Sequence, residues 1–436
     1  MKNLAFCLAI VSATLGPSLT TFAQDLPTNQ STLTLEDVLK LAKDRNGTVK
    51  AAIWDYASAR SSVAQSLAAF YPTITPVYQY NSDRSSFLAP GNTTLFSQNE
   101  GGTFFVNSSW RVLDTGQRQL KLLSSRRSAD ASKETTLQTL RTTLYDVYSQ
   151  YIESLRSQQL LKVNQAQVER ANAILDQTKA QVKVGDIAAK EVLQAQADAL
   201  NAQVDYLTAK NRNSNAVAGL RSIIGWDSNA PLPTLVEVPE PGPPSLPPLA
   251  DMIKEGVSQR ADLISTRRSL EALNFNRQLA DRNAGPTASL DASFDQTLTP
   301  NSLENRVLTF TISAPLFDGG LSREQARQAK YQYLSAQASY VQQERQAKAD
   351  IEAAYATTMQ NSERINAARS AREAAQENFK AASESQKAGA SNLIDVLTAQ
   401  VSLVTAESNY IQALYDFILS DANLKLVTGQ SMPGEA

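Results

Sequence analysis

The side chains available for chemistry in this sequence are carboxylates, amines, hydroxyls and amides, because its 436 residues include no His and a single Cys, Cys7. Imidazole acid–base catalysis, Ser–His or Cys–His nucleophiles and His/Cys metal sites are therefore excluded. Carboxylates such as Asp291 and Asp295 are scattered, and no acid is paired with a base in a supporting context. We therefore predict that the protein is not an enzyme and holds no metal or cofactor. With 41 Lys and Arg against 43 Asp and Glu and no basic block, nucleic acid is not expected as a partner.

The N-terminal segment Met1–Ala23 resembles a secretory signal peptide, with Lys2, an apolar stretch from Leu4 to Leu15 and a small residue, Ala23, at the expected cleavage site. The alternative, a membrane anchor, is disfavoured because the apolar stretch is too short to span a bilayer comfortably. Cys7 would leave with the signal, so the mature chain is predicted to lack cysteine. No later apolar run reaches the roughly 18 residues of a membrane helix, so any membrane insertion must use a β-barrel.

Proline is distributed very unevenly, and this predicts where long helices lie. None occurs between Pro90 and Pro231 or between Pro315 and Pro433. Because proline costs about 3 kcal/mol inside a helix, these two stretches are free to form very long ones. The prolines crowded from Pro231 onward predict an extended linker that breaks the chain in half.

Apolar residues recur every seven positions inside the proline-free stretches, which predicts helices wound around one another. The first stretch repeats Leu193, Leu200 and Leu207, and the second has Ala347 and Ala354 in one heptad position with Ile351 four residues after the first. An ordinary surface coiled coil fits these heptads equally well.

The two halves of the chain align with each other at a nearly constant displacement, which indicates a tandem duplication. One displacement takes Asp114 to Asp318, whereas earlier in each half the displacement that takes Asp37 to Asp251 is ten positions larger. This change predicts a longer polar loop in the first half. The predicted divisions are a signal peptide (1–23), a first repeat (24–225), a linker (226–249) and a second repeat (250–436).

Short segments between the helical stretches alternate apolar and polar residues, as half-buried strands do. Residues 288–295 place Leu290 and Phe294 on one face and Asp291 and Asp295 on the other. Strands of roughly 9–11 residues with apolar residues outward suit a membrane barrel, although a soluble hairpin over a core remains the alternative. Four strands are too few to close a barrel in lipid, so membrane insertion predicts an oligomer.

These features together resemble the TolC-like outer-membrane efflux and secretion channels over essentially the whole mature chain. The resemblance rests on the duplication, on the junction Pro315–Gly320 and its counterpart Val112–Gly116, and on the helix-tip glycines Gly185 and Gly389. It implies a mostly α-helical fold with a transmembrane β-barrel. It also implies a homotrimer in the outer membrane, with twelve strands in one barrel and twelve helices in a periplasmic tunnel. The implied partners are outer-membrane lipid, a periplasmic adaptor and an inner-membrane transporter.

The resemblance also implies a periplasmic gate. By position relative to the tip glycines, Glu191 and Asp395 match two of the family's acidic gate residues. The family's tyrosine, arginine and further acid are replaced here by Gln386, Ser391 and Thr398, which predicts a looser or differently latched gate. The alternative is that both acids are solvated, or help the first turn of their helices through the helix dipole.

In the family, the helix tips dock on the adaptor. The resemblance therefore predicts docking contacts at Val184, Gly185, Ile187, Ala388, Gly389 and Leu393. The alternative is that these residues only form the turns and helix caps.

The function expected from the resemblance is a passive exit duct of a tripartite efflux pump or type I secretion system. The main rival is a trimeric coiled-coil adhesin or another structural surface protein. A periplasmic adaptor is less compatible with two helical hairpins that each carry a strand pair. The sequence identifies neither the cargo nor the class of transporter.

Overall fold

The computed structural model describes residues 32–435 except 91–92, 186, 228–229, 231, 243–245 and 299–303. The predicted signal peptide therefore lies outside the described residues. The helices are α1 (Leu35–Arg45), α2 (Gly47–Ala68), α3 (Gln117–Val184), α4 (Lys190–Ile223), α5 (Leu249–Gln259), α6 (Ala261–Asp281), α7 (Leu321–Lys387) and α8 (Leu393–Val427). The strands are β1 (Thr32–Leu33), β2 (Thr73–Ala89), β3 (Thr93–Leu113), β4 (Thr234–Leu235), β5 (Thr287–Leu298) and β6 (Glu304–Ser313). Along the described parts of the chain, no helix is long and apolar enough to cross a membrane.

The order of elements confirms the predicted duplication. Two short helices, two strands and two long helices occur twice, as α1–α2–β2–β3–α3–α4 and α5–α6–β5–β6–α7–α8. Helices α1 and α5 both have 11 residues, and α3 and α7 have 68 and 67. At about 1.5 Å per residue, α3 is about 100 Å long. The long helices pair as antiparallel hairpins, α3 with α4 and α7 with α8.

The apolar heptad positions differ in burial between the two hairpins. In α7, Ala347 and Ile351 are completely buried. In α4, by contrast, Leu193, Leu200 and Leu207 are 69%, 60% and 53% exposed. The α4 stripe is therefore left uncovered within one chain.

Four strands form one antiparallel sheet in the order β2-β3-β5-β6, with β2 and β6 at its edges. Its cross-strand pairs bring apolar side chains together on one face: Leu290 lies opposite both Trp110 and Phe310. Asp291 lies on the other face opposite Ser109 and Thr309, and accepts a 2.6 Å hydrogen bond from the Ser109 hydroxyl. The predicted alternation is therefore present.

The first strand pair extends well beyond the second. Strands β2 and β3 have 17 and 21 residues and stay paired from Thr73↔Ser109 to Ala89↔Thr93, whereas β5 and β6 have 12 and 10. The segment predicted as a long polar loop is thus mostly a paired ribbon. The apolar–polar alternation fades there because residues 81–86 and 97–100 are all polar, and the hydrogen-bonded ladder maintains the strands.

The main core surrounds the middle of α3 and the C-terminal parts of α4 and α8, and draws on both repeats. Its largest members that are almost fully buried are Leu39, Leu144, Tyr151, Ile152, Leu155, Leu220 and Ile224. Tyr415 and Ile418 of α8 pack into the same cluster.

The linker joins this core, because β4 pairs in parallel with β1. The Tyr151 hydroxyl donates to the carbonyl oxygens of Val236 (2.5 Å) and Leu33 (3.2 Å). The described residues 232–242 of the predicted linker pack on the helices, so this segment does not divide the chain into separate halves.

Each strand pair leads into its long helix through an Asp-x-Gly junction. The Asp114 carboxylate accepts hydrogen bonds from the backbone N–H groups of Gly116 (3.2 Å) and Arg118 (3.0 Å). Asp318 does the same for Gly320 (3.0 Å) and Ser322 (2.9 Å). These bonds satisfy N–H groups that the first turn of a helix leaves without partners.

Candidate functional site at the helix tips

Glycines form the turns at both tips. Gly185 follows α3 with φ of 86°, and Gly389 follows α7 with φ of 73°, a left-handed conformation that favours glycine. The Gly185 N–H donates to the carbonyl oxygen of Val182 over 3.1 Å, and the Gly389 N–H to that of Gln386 over 3.0 Å. Among the described residues other than each glycine's chain neighbours, no atom lies within 4 Å of the Cβ that a side chain at either glycine would add. Backbone conformation therefore explains both glycines, while the space around them is open.

Asp395 takes part in a reciprocal cap at the start of α8. Its backbone N–H donates to the Asn392 side-chain oxygen over 3.0 Å, and its carboxylate accepts from the Asn392 N–H over 3.3 Å. This is a capping box, which satisfies two N–H groups at the helix start. Asp395 is also exposed, so its carboxylate caps the helix while still facing solvent.

Glu191 lies in the first turn of α4, where a negative charge is favoured by the helix dipole. Its side chain is 22% exposed, and one carboxylate oxygen lies 3.9 Å from Lys190 Nζ. The two predicted gate acids thus occupy matching positions, each at the first turn after its tip.

Gln386 lies between the two hairpins. Its side chain is 8% exposed, and its oxygen accepts a 3.3 Å hydrogen bond from Gln177 Nε2 of α3. Ser391 instead bonds within its own hairpin, through its hydroxyl to the Ala382 carbonyl oxygen (3.4 Å). Thr398 is exposed on α8.

Leu393 differs from the docking role expected of it. Its side chain is 5% exposed and packs in a small apolar cluster between α8 and the first hairpin. We name this group the tip cluster; its buried members are Ala171, Leu175, Ala195, Ala199, Ala202, Leu393 and Leu397. Leu393 therefore holds the hairpins together and is withdrawn from the predicted docking surface, because an apolar heptad neighbour of Leu397 is driven inward.

The other predicted docking residues remain accessible at the tips. Val184 is 72% exposed, and Gly185, Ala388 and Gly389 are also exposed. Ile187 is half-buried. Asp186, between them, lies outside the described residues. The tips thus present small and apolar groups to solvent.

Two polar links between the hairpins were not predicted from the sequence. Gln400 Nε2 of α8 donates to the Asp198 carboxylate of α4 over 3.2 Å, and Arg170 of α3 lies 3.3 Å from Glu407 of α8. Burial raises the pKa of Asp198, and the Gln400 hydrogen bond opposes this only in part. Gln400 follows Leu397 by three residues on the buried stripe of α8, and a polar residue in such a position was the signal available.

These links lie in what we name the tip seam, where residues 167–202 of the first hairpin meet residues 393–407 of α8. The seam is poorly satisfied. Within the described residues, Gln167 Oε1, Arg170 Nε and Gln400 Oε1 are buried without hydrogen-bond partners. Each such atom costs about 1–3 kcal/mol relative to exposure to water. The small apolar cluster favours contact between the hairpins. The unpartnered polar atoms favour separation of the hairpins, because separation would expose them to water.

No described group of three or more His, Cys, Asp or Glu side chains is arranged to hold a metal ion. The geometry at the tips is that of two adjacent helical hairpins with capped turns, two exposed or half-exposed acids and a weakly held seam. The two hairpins can separate at this seam, and their exposed turns can bind another surface.

Comparison with known proteins extends this description to the whole chain. The family model described as outer membrane efflux protein matches residues 38–226 and again residues 252–430. The outer membrane protein TolC of Vibrio cholerae is 27% identical over 419 residues, covering 91% of this chain and 90% of that protein. The alkaline protease secretion protein AprF of Pseudomonas aeruginosa is 23% identical, covering 91% of this chain and 84% of its own.

Solved structures agree with the architecture. The CmeC outer membrane channel of Campylobacter jejuni has a TM-score of 0.80 at 18% identity, with 92% of this chain and 86% of that chain covered. The open-state MtrE outer membrane channel of Neisseria gonorrhoeae has a TM-score of 0.74 at 18% identity, with 92% and 89% covered. These likenesses confirm the predicted fold of tandem repeats with long helical hairpins and a strand domain.

Proposed function

The chain belongs to the outer membrane efflux protein family, and from this premise we propose that three copies form one passive exit duct. The protein is an outer membrane channel of the efflux and secretion type, with helical hairpins that extend into the periplasm. The adhesin alternative is set aside, since the family consists of channels. In our proposal the duct has no catalytic step and no energy source of its own.

The observation that carries the trimer is the open sheet. Strands β2 and β6 are both edges, and in lipid each unpaired backbone group costs several kcal/mol. Pairing β6 of one copy with β2 of the next satisfies both edges, and three copies supply twelve strands. The exposed α4 stripe of Leu193, Leu200 and Leu207 supports the same arrangement, because a neighbouring hairpin would cover it.

The duplication predicts the register between copies. Inside one chain, Val106 of β3 pairs with Phe294 of β5. The displacement that relates the two junction aspartates takes Val106 to Phe310 on β6, and the larger displacement of the earlier elements takes Phe294 back to Tyr80 on β2. Phe310 is therefore expected opposite Tyr80 of the next copy. Both side chains are exposed in the single chain, at 60% and 59%.

Cysteine cross-linking tests this register, because Cys7 lies in the predicted signal peptide and the mature chain contains no other cysteine. The internal pair Asn107↔Ser293 maps by the same shifts onto Thr311 and Gln79. The double variant Thr311→Cys, Gln79→Cys is expected to yield covalent trimers with a short thiol-specific cross-linker.

The matched control moves one cysteine four residues along β2, as Thr311→Cys, Asp83→Cys. That displacement is about 13 Å, too far for a short cross-linker. Monomers in both variants, or equal cross-linking in both, would contradict the proposed ring. Conductance of the purified protein in lipid bilayers tests the duct itself.

We further propose that the tips receive a periplasmic adaptor, which connects the duct to an inner-membrane transporter. The accessible residues Val184, Gly185, Ile187, Ala388 and Gly389 form the contact surface in this proposal. Glu191, Asp395 and Gln386 line or hold the closed end, where three copies of each acid would repel one another and attract cations.

Substitutions at Gly389 separate docking from turn formation. Both Gly389→Ala and Gly389→Trp strain a residue with φ of 73°, at about 1–3 kcal/mol each. Only tryptophan also occupies the open space in front of the turn. Export is expected to persist in the alanine variant and to be lost in the tryptophan variant, with trimers intact in both. Normal export by Gly389→Trp would refute the docking role.

A further inference from the structure

The linker contains a segment that crosses from one helical hairpin to the other. We name residues 232–242 the strap. Its first half is fastened to α3: Val236 accepts the Tyr151 hydroxyl bond, and Glu237 accepts a hydrogen bond from the Gln159 side chain. Lys162 Nζ also lies 3.6 Å from the Glu237 carboxylate.

The second half of the strap is fastened to both helices of the other hairpin through one side chain. The Glu240 carboxylate pairs with Arg369 of α7 and accepts a 3.1 Å hydrogen bond from the Tyr410 hydroxyl of α8. The guanidinium of Arg372 lies 3.9 Å from the centre of the Tyr410 ring. Glu240 thus joins α7 and α8 to a strap whose other end is held by α3.

The backbone around Glu240 is restricted before any contact forms. Pro239 and Pro241 flank it, and the ring of each proline fixes that residue's own φ. A residue that precedes proline is also held in an extended conformation, and Glu240 is such a residue. The strap therefore loses little conformational freedom when it docks, so weak contacts can hold it.

The contacts of the strap lie at a level along the hairpins that separates the main core from the tip seam. Arg369 lies about five helical turns before the end of α7 at Lys387, and Tyr410 lies about as far beyond the start of α8 at Leu393. At about 5.4 Å per turn, Glu240 holds the second hairpin about 27 Å from its tip. On one side of this level lies the main core, which includes residues of α8 beyond Tyr410. On the other side lies the tip seam, whose apolar cluster is much smaller than the main core.

We propose that Glu240 is a positioning residue that sets the point about which the α7–α8 hairpin swings when the tips separate. The inference rests on the proposed duct. Glu240 acts through Arg369 and Tyr410 and does not contact cargo. Loss of its contacts would lengthen the free part of the hairpin toward the main core, so the closed arrangement would be held less well.

Charge reversal provides the test, in trimers reconstituted into planar lipid bilayers. Glu240→Arg and Arg369→Glu are each expected to raise the open fraction about tenfold, because a trimer loses three weak ion pairs together. The double variant restores the pair with reversed polarity and is expected to return the open fraction close to the wild-type value. Glu240→Gln loses the same three ion pairs but keeps a hydrogen-bond acceptor for Tyr410 and introduces no repulsion, so a smaller rise in the open fraction is expected.

Other readouts distinguish positioning from general damage. Trimer yield and melting temperature are expected to change little in every variant, since the strap contacts are exposed. Single variants with unchanged open fractions in conducting trimers would overturn the role of Glu240 and leave the duct intact. Raised open fractions without rescue in the double variant would also overturn it. A wild-type protein that does not conduct would remove the proposed duct and this role together.

Discussion

The two strand-to-helix junctions have the same sequence design but very different surroundings. Asp114 and Asp318 occupy equivalent positions in the two repeats, and each caps its helix through two backbone N–H groups. Asp114 is 5% exposed, whereas Asp318 is exposed, beside Leu316 and Phe317 at 99% and 90%. The same local motif therefore occurs once inside the chain and once at its edge.

The first junction is covered by the second repeat of its own chain. Gln117 donates to the Arg282 carbonyl oxygen (2.9 Å), and Arg282 donates back to that of Thr115 (3.3 Å). Arg118 adds an ion pair with Asp114 at 2.6 Å. In the described part of the chain, the second junction has no such cover, and Ser322 replaces Arg118. In the proposed ring, the α2–β2 corner of the next copy would take the place that the α6–β5 corner takes here.

Alanine at the two aspartates gives the largest expected contrast. In protomers dissociated in detergent, Asp114→Ala leaves Arg118 half-buried without its carboxylate and is expected to lower the free energy of unfolding by about 3 kcal/mol. Asp318→Ala removes only exposed cap bonds, so its effect on the protomer is expected to be much smaller. Urea titration of both variants measures the difference.

Assembly provides the control for this contrast. If the next copy covers the second junction, Asp318→Ala is expected to lower the thermal stability of the trimer far more than that of the protomer. Asp114→Ala should affect both forms alike. An Asp318→Ala effect of equal size in protomer and trimer would show that the second junction stays open to solvent after assembly.

The repeat was predictable because the same residues recur at equivalent positions in the two halves of the sequence. A single displacement links the caps Asp114 and Asp318, and both helices begin directly after the junction glycines, at Gln117 and Leu321. The paired ribbon formed by the end of β2 and the start of β3 was not predictable, because its few apolar residues are consecutive and do not alternate with polar ones, so that only the ladder reveals a strand. Nor was the strap, since the contact between Glu240 and Arg369 joins residues 129 positions apart.

At the candidate site too, features set by local sequence were easier to predict than contacts between the hairpins. Local signals identified the glycine turns, whereas the capping box of Asn392 and Asp395 was not predicted, although it too is local. Burial of Leu393 and the bond between Asp198 and Gln400 depend on how two hairpins meet. Periodicity indicates which face of a helix is apolar, but not which neighbour covers it.

Lowering the pH is expected to have the smallest effect on stability. It tests specifically whether the ionised carboxylate of the buried Asp114 stabilises the first junction. Burial alone would raise the pKa of Asp114, but its bonds to Arg118 and Gly116 outweigh this and hold the pKa below the ordinary value of 3.8. A carboxylate with a lowered pKa in the folded state stabilises the fold above its unfolded pKa, and this stabilisation is lost as pH falls through the folded pKa. The difference in unfolding free energy between the wild type and Asp114→Ala should therefore be constant from pH 7 to about 5 and shrink below about pH 4. A difference that persists unchanged at pH 2.5 would mean that the ionised carboxylate is not what stabilises the first junction.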